Sequence, residues 1–163
     1  MVIISCSLKG FEAADKLSLK LNNFKEIKNA LLFIEREMQF SKATLPEIFK
    51  NASALCERKL IKEILFNTYK KSKGDFSIFT AWQKEIEQNQ KRLCLSKKET
   101  LVIKNIFKGI GMSDSHTQEK LMANIIEVID ENIKRCESTY QINAKMYRSM
   151  GVLCGVFIAL LFI

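Results

Sequence analysis

Apolar residues recur at steps of three and four almost from one end of this chain to the other, a period that leaves little room for anything but helix. Between Glu12 and Gln39, the residues Leu17, Leu21, Phe24, Ile27, Leu31, Ile34 and Met38 fall on one stripe of a long helix. One Pro and six Gly are all the strong punctuation that 163 residues contain. Sandwiches and barrels need far more turn residues, so this count argues against an all-β fold.

The same period continues downstream. Thr44 followed by Glu47 has the spacing of a capping box, and Pro46 suits a first helical turn, with Ile48, Ala52 and Leu55 on one face behind it. A third helix is expected from about Glu57 to Lys71 on Leu60, Ile61, Ile64, Leu65 and Tyr69, ending at Gly74. Phe76, Phe79, Trp82 and Ile86 mark a fourth. Ser96 with Glu99 is a second capping box, opening a helix over Leu101–Phe107 that Gly109 and Gly111 close. Ser113 or Asp114 caps the last helix, whose stripe of Leu121, Ile125, Val128, Ile129, Ile133 and Cys136 runs on into an apolar tail. The expected fold is all-α: an antiparallel six-helix bundle with a C-terminal transmembrane helix continuous with the last helix. Leu31, Ile34, Leu65, Trp82, Ile106, Ile125 and Val128 should be buried.

The tail carries the membrane argument. From Met150 through Gly151, Val152, Leu153, Gly155, Phe157, Ile158, Leu160, Leu161 and Phe162 to Ile163 there is no charge. As helix, the segment covers about 21 Å, and starting from Ala144 adds roughly 9 Å, close to a ~30 Å hydrocarbon core. Lys145 and Arg148 can snorkel, Tyr147 suits the headgroup level, and Gly151 with Gly155 permits close helix contact in lipid. The competing reading is a buried last helix of a soluble domain. At the other end, Met1–Leu8 is apolar without a basic region before it, so a secretory signal is not supported. It reads as a surface-bound stub, an ordinary helix start or the last turns of a span.

Net charge is +8, and the excess lies mid-chain. Residues 56–98 carry 11 basic and 5 acidic side chains, Lys59, Lys62, Lys70, Lys71 and Lys73 among them. One reading is an acidic partner; the other is the solvated surface of a bundle. Aromatic residues do not interleave with these lysines as a single-strand binding groove would want, which favours the second. Cys6, Cys56, Cys94, Cys136 and Cys154 are odd in number, widely spaced and without a CxxC pair, so they read as reduced thiols. With one histidine, His116, and no phosphate loop, HExxH or nucleophile elbow, the chain offers no catalytic residues, no metal ligands, no cofactor site and no small-molecule substrate.

Several stretches in register resemble one family. Asn143-Ala144-Lys145-Met146-Tyr147-Arg148-Ser149-Met150-Gly151-Val152-Leu153 is similar to the closing segment of the stage III sporulation protein AB family. Leu31-Leu32-Phe33-Ile34-Glu35-Arg36-Glu37-Met38, the Leu45-Pro46-Glu47 helix start, and Gly111-Met112-Ser113-Asp114 with Gln118 keep that family's order. Where the family shows Thr-Pro this chain has Ala43-Thr44, and Cys154 stands in place of a Gly. The family resembles the cytosolic domains of the type II secretion platform protein F.

The resemblance implies a remnant of an N-terminal span over residues 1–9, a cytosolic bundle over 10–145 and a membrane helix over 146–163. It also implies a place in the mother-cell membrane around the forespore, with the bundle facing the cytoplasm. There a non-enzymatic platform would dock a partner ATPase of the stage III sporulation protein AA type and other channel-complex membrane proteins, with no nucleic acid involved.

Four groups of residues are candidates for such docking. Glu35 and Glu37 lie two apart, so at most one should face the core. Lys70, Lys71 and Lys73 form a basic cluster. Ser113, Asp114 and Gln118 surround the last helix start, where a plain cap is the bland reading. Glu127, Asp130 and Glu131, with Glu137, line the last helix and could complement the mid-chain lysines or pair between subunits. A tail-anchored basic helical protein that binds nucleic acid or another acidic partner is the alternative function.

Overall fold

In the computed structural model, residues 2–74, 76–108 and 120–142 are described, with side chains from residue 15 onward. Six helices and no strand are found among them. They are α1 (Val2–Phe40), α2 (Leu45–Leu55), α3 (Lys59–Ser72), α4 (Ile78–Gln88), α5 (Lys97–Lys104) and α6, which covers 120–142. The all-α expectation holds. No helix among the described residues is long and apolar enough to cross a membrane, and the expected span over 146–163 lies outside them.

Both capping boxes form where the spacing placed them. The Glu47 carboxylate accepts from the Thr44 N–H at 3.0 Å and from the Thr44 hydroxyl at 2.9 Å. Ser96 N–H donates to Glu99 Oε2 at 2.8 Å while Ser96 Oγ accepts from the Glu99 N–H at 3.3 Å. Each box satisfies backbone donors that have no partner inside the helix. At α4, Ser77 Oγ caps the Thr80 N–H at 3.2 Å.

Helix ends differ from expectation where tertiary partners intervene. The first helix begins at Val2 and not near Glu12, because Gly10 alone cannot break a run that has no proline. The third begins at Lys59 because the Glu57 and Arg58 N–H groups, which could have opened it, donate instead to Glu26 of α1 at 2.7 and 3.3 Å. Phe76 lies ahead of α4, 40% exposed, with Lys84 Nζ 3.6 Å from its ring centroid. α5 ends at Lys104 in a run of turns, and Gly109 and Gly111 fall outside the described residues.

Consecutive helices pack on one another from α2 to α5, with α1 across α2 and α3. α3 and α4 run antiparallel: Asn67 reaches Glu85 while Glu63, one turn earlier, reaches Arg92 beyond the end of α4. α1 and α6 do the same, with Lys25 to Glu137 and Lys28 to Asp130. The core they enclose includes Leu31, Ile34, Leu65, Trp82 and Ile106 as expected. At its centre Phe49, Trp82 and Phe107 pack edge to face, with centroids 4.9–6.1 Å apart.

One expected core position is wrong. Val128 is 41% exposed, and Ile125 only partly buried, while Met122, Ile129, Ile133 and Cys136 face inward. Steps of three and four from Met122 arrive at Ile129, Ile133 and Cys136; Val128 lies 100° from Ile129 and leaves that stripe.

Charge couples the first helix to the last two. Lys20 Nζ meets Glu99 Oε1 at 2.7 Å. Burial pushes the Glu99 carboxyl up, but the Lys20 ammonium and the Ser96 bonds outweigh it and hold it below the ordinary 4.5. A carboxyl lowered in the folded state stabilises the fold above its unfolded value and ceases to do so as pH falls through the folded one. Glu99→Gln should therefore cost about 1 kcal/mol at pH 7. That deficit should shrink once the pH drops below 4.5. Thermal melts of both proteins at pH 7 and pH 3 check this; an equal deficit at both would refute it.

Candidate docking surface

Helix α3 forms because Leu60, Ile61, Ile64, Leu65 and Thr68 give it a continuous inner face and Lys70 and Lys71 sit near its negative C-terminal end. Its outer face carries Lys59, Lys62, Phe66, Lys70 and Lys73, all exposed. At 100° per residue these five positions fall within about 80° of one another. Lys50 of α2 stands across a groove between the two helices, about 620 Å³ in volume, which Lys59, Lys62 and Phe66 line on the α3 side. The ammonium groups rest against rings: Lys70 is 4.8 Å from the Phe66 centroid, and Lys73 and Lys50 are 4.9 and 5.9 Å from that of Tyr69. The expectation that no aromatic interleaves with the lysines is thus corrected. The rings are four residues from their lysines, or on a neighbouring helix, and not adjacent in sequence.

The expected Lys70, Lys71 and Lys73 cluster divides. Lys71 turns away from the stripe and pairs with Glu85 of α4 at 2.5 Å. Glu85 is only 3% exposed, and Asn67 and Asn89 donate to its other oxygen at 3.4 and 3.5 Å. Asn89 in turn accepts from Arg92, which pairs with Glu63 at 3.1 Å. Lys71 therefore closes a structural network that joins α3 to α4.

The acidic group divides as well. Asp130 pairs with Lys28 at 2.6 Å, Glu137 with Lys25 at 2.7 Å, and Glu131 with Arg135 of its own helix at 3.6 Å. The last helix thus complements the lysines of α1, and not those of the middle segment. Glu127 is exposed. Glu35 and Glu37 are both half-buried. They flank Ile34 and Met38, each about 100° from a core-facing neighbour, so neither points inward or fully outward. Ser113, Asp114 and Gln118 lie outside the described residues, as do Met150 to Phe162.

Sequence reading passed over Lys50 and Phe66 as site residues and placed Lys59 and Lys62 only in the bulk charge excess. The 59-62-66-70-73 spacing was the signal available for three of these positions. Nothing in the sequence pairs Lys50 with them. Other chemistry is sparse. Among the described residues no three His, Cys, Asp or Glu side chains are placed to share a metal ion. Cys56, Cys94 and Cys136 are free thiols. Burial, with the Glu26 carboxylate beside it, pushes the Cys56 thiol up to about 12, so it stays protonated and unreactive at neutral pH.

Comparison with known proteins gives a consistent result. The family model described as stage III sporulation protein AB matches residues 1–163. Stage III sporulation protein AB of Bacillus subtilis (strain 168) is 24% identical over 164 residues, spanning 98% of this chain and 94% of that protein. A solved structure of a stage III sporulation protein AB superposes with a TM-score of 0.65 at 19% identity, over 73% of this chain and 94% of that one, a likeness of fold. The chain belongs to the stage III sporulation protein AB family, a family of sporulation proteins.

Proposed function

We propose that this chain is a non-enzymatic platform of the mother cell–forespore channel complex, anchored in the mother-cell membrane by residues 146–163 with its bundle in the cytoplasm. There it docks a secretion-type ATPase of the stage III sporulation protein AA kind. Family membership supports the setting. The observation that carries the docking reading is the exposed basic face of α3, where Lys59, Lys62, Lys70 and Lys73 lie within one narrow stripe and make no ion pair among the described residues.

Pull-down of that ATPase by the full chain tests the reading. Capture is expected at low salt and should weaken as salt rises, because exposed charges are screened beyond about 8–10 Å at physiological ionic strength. Failure of the folded wild-type chain to capture it at low salt would refute the proposal. The exposed basic face also fits a second reading, nucleic-acid binding, whose affinity would fall far more steeply with salt.

A further inference from the structure

Seven basic side chains in the described bundle make an ion pair, one of them Arg135 with Glu131 of its own helix. Lys20, Lys25, Lys28, Lys71, Arg92 and Lys104 each pair with a carboxylate on another element or turn. Lys50, Lys59, Lys62, Lys70 and Lys73 do not, among the described residues. Glu63 is engaged with Arg92, and Glu47, which caps α2 through Thr44, acts on Lys50 and Lys73 without forming an ion pair with either. Five ammonium groups without an ion pair among the described residues therefore share one face of α2 and α3 with a single exposed ring, Phe66.

We propose that this face is a cradle for an acidic segment of another protein, with carboxylates meeting Lys59, Lys62, Lys70 and Lys73 and one apolar side chain entering the groove beside Phe66. The proposal rests on the platform reading and names the surface and the partner chemistry that reading leaves open. Dimensions agree with it. From Lys59 to Lys73 the stripe runs about 21 Å, the length of a four-turn helix. A groove of about 620 Å³ holds a large side chain or two, with Ala54 and Phe66 as its apolar part.

The same observations disfavour the other anionic surfaces. A bilayer presents a broad plane that cannot enter a concave groove. Bases need open rings to stack on, and the Phe66 and Tyr69 rings already face ammonium groups. A second copy of this chain would have to offer its acidic last helix, where Asp130 and Glu137 are paired with α1.

The test uses the full chain in detergent micelles and a fluorescein-labelled synthetic helix of about four turns, with Glu on one face and a single central Leu. Binding should saturate and fall roughly tenfold in the variant combining Lys62→Glu with Lys70→Glu. Phe66→Ala should weaken it several-fold, and Lys97→Glu, an exposed lysine off the stripe, should leave it unchanged. Circular dichroism confirms that each variant folds. Peptide binding that the double variant retains would overturn the proposal, as would tighter, stripe-dependent binding of oligo-dT or of phosphatidylglycerol vesicles. ATPase capture separates this idea from the platform reading. If wild type captures the ATPase and the double variant does so equally well, the cradle is wrong and the platform stands. If the peptide binds through the stripe and wild type captures no ATPase, the platform reading falls and the cradle stands.

Discussion

Trp82→Ala is expected to lower the unfolding free energy by about 3–5 kcal/mol, the range for deleting a large aromatic from a packed core. Trp82 is 2% exposed and sits edge to face against both Phe49 and Phe107, so its removal opens a cavity where α2, α4 and the turns after α5 converge. The indole N–H also donates to the Ile103 carbonyl at 2.8 Å, which ties α4 to α5. Trp82→Phe should cost less, about 1–2 kcal/mol, because it keeps ring packing and loses mainly that bond. The Ile103 carbonyl retains the Ile106 N–H at 3.3 Å, so it is not left unpaired. Urea unfolding followed by circular dichroism gives both values. A loss under 1 kcal/mol for Trp82→Ala would mean that the ring triad does not organise this core.

Lys71→Met should be the second most damaging change. It leaves the Glu85 carboxylate inside the bundle with only two long amide contacts. Breaking a fully buried pair costs roughly 3–5 kcal/mol. A third of the Lys71 side chain is exposed, so solvent screening brings the expectation to about 2–3 kcal/mol. Adding Glu85→Gln should recover most of the loss, since a neutral amide no longer needs a cation; a double-mutant cycle measures that coupling. If the double variant is no more stable than Lys71→Met alone, the pair contributes nothing. The result bears on how docking is tested. Reversing Lys70, Lys71 and Lys73 together would place a new carboxylate against Glu85 and confuse lost stability with lost binding, so reversals belong at Lys62 and Lys70.

Much of the fold was legible in the residues themselves. Capping boxes at Thr44/Glu47 and Ser96/Glu99, the stripe from Leu21 to Ile34 and the buried Trp82 all depend on neighbours within a turn or so of one another. The local period fails where two apolar faces overlap. Counting from Leu121 puts Val128 inside; counting from Met122 puts it out, and only the contact with α1 chooses.

The docking surface was less legible, for the same reason. The lysines on one face of α3 share a helical spacing that any reader of the chain could find. Which lysines remain available depends on pairings between distant segments: Lys28 with Asp130 across 102 positions, Arg92 with Glu63 across 29, Lys71 with Glu85 beyond the next turn. The sequence by itself determined where the two helices opened by capping boxes start, most of the apolar faces and that the charge excess lies mid-chain. Tertiary structure alone decided which of those charges stay exposed, because an ammonium is neutralised by whatever carboxylate the packing brings within about 4 Å, and that distance is not written in any local pattern.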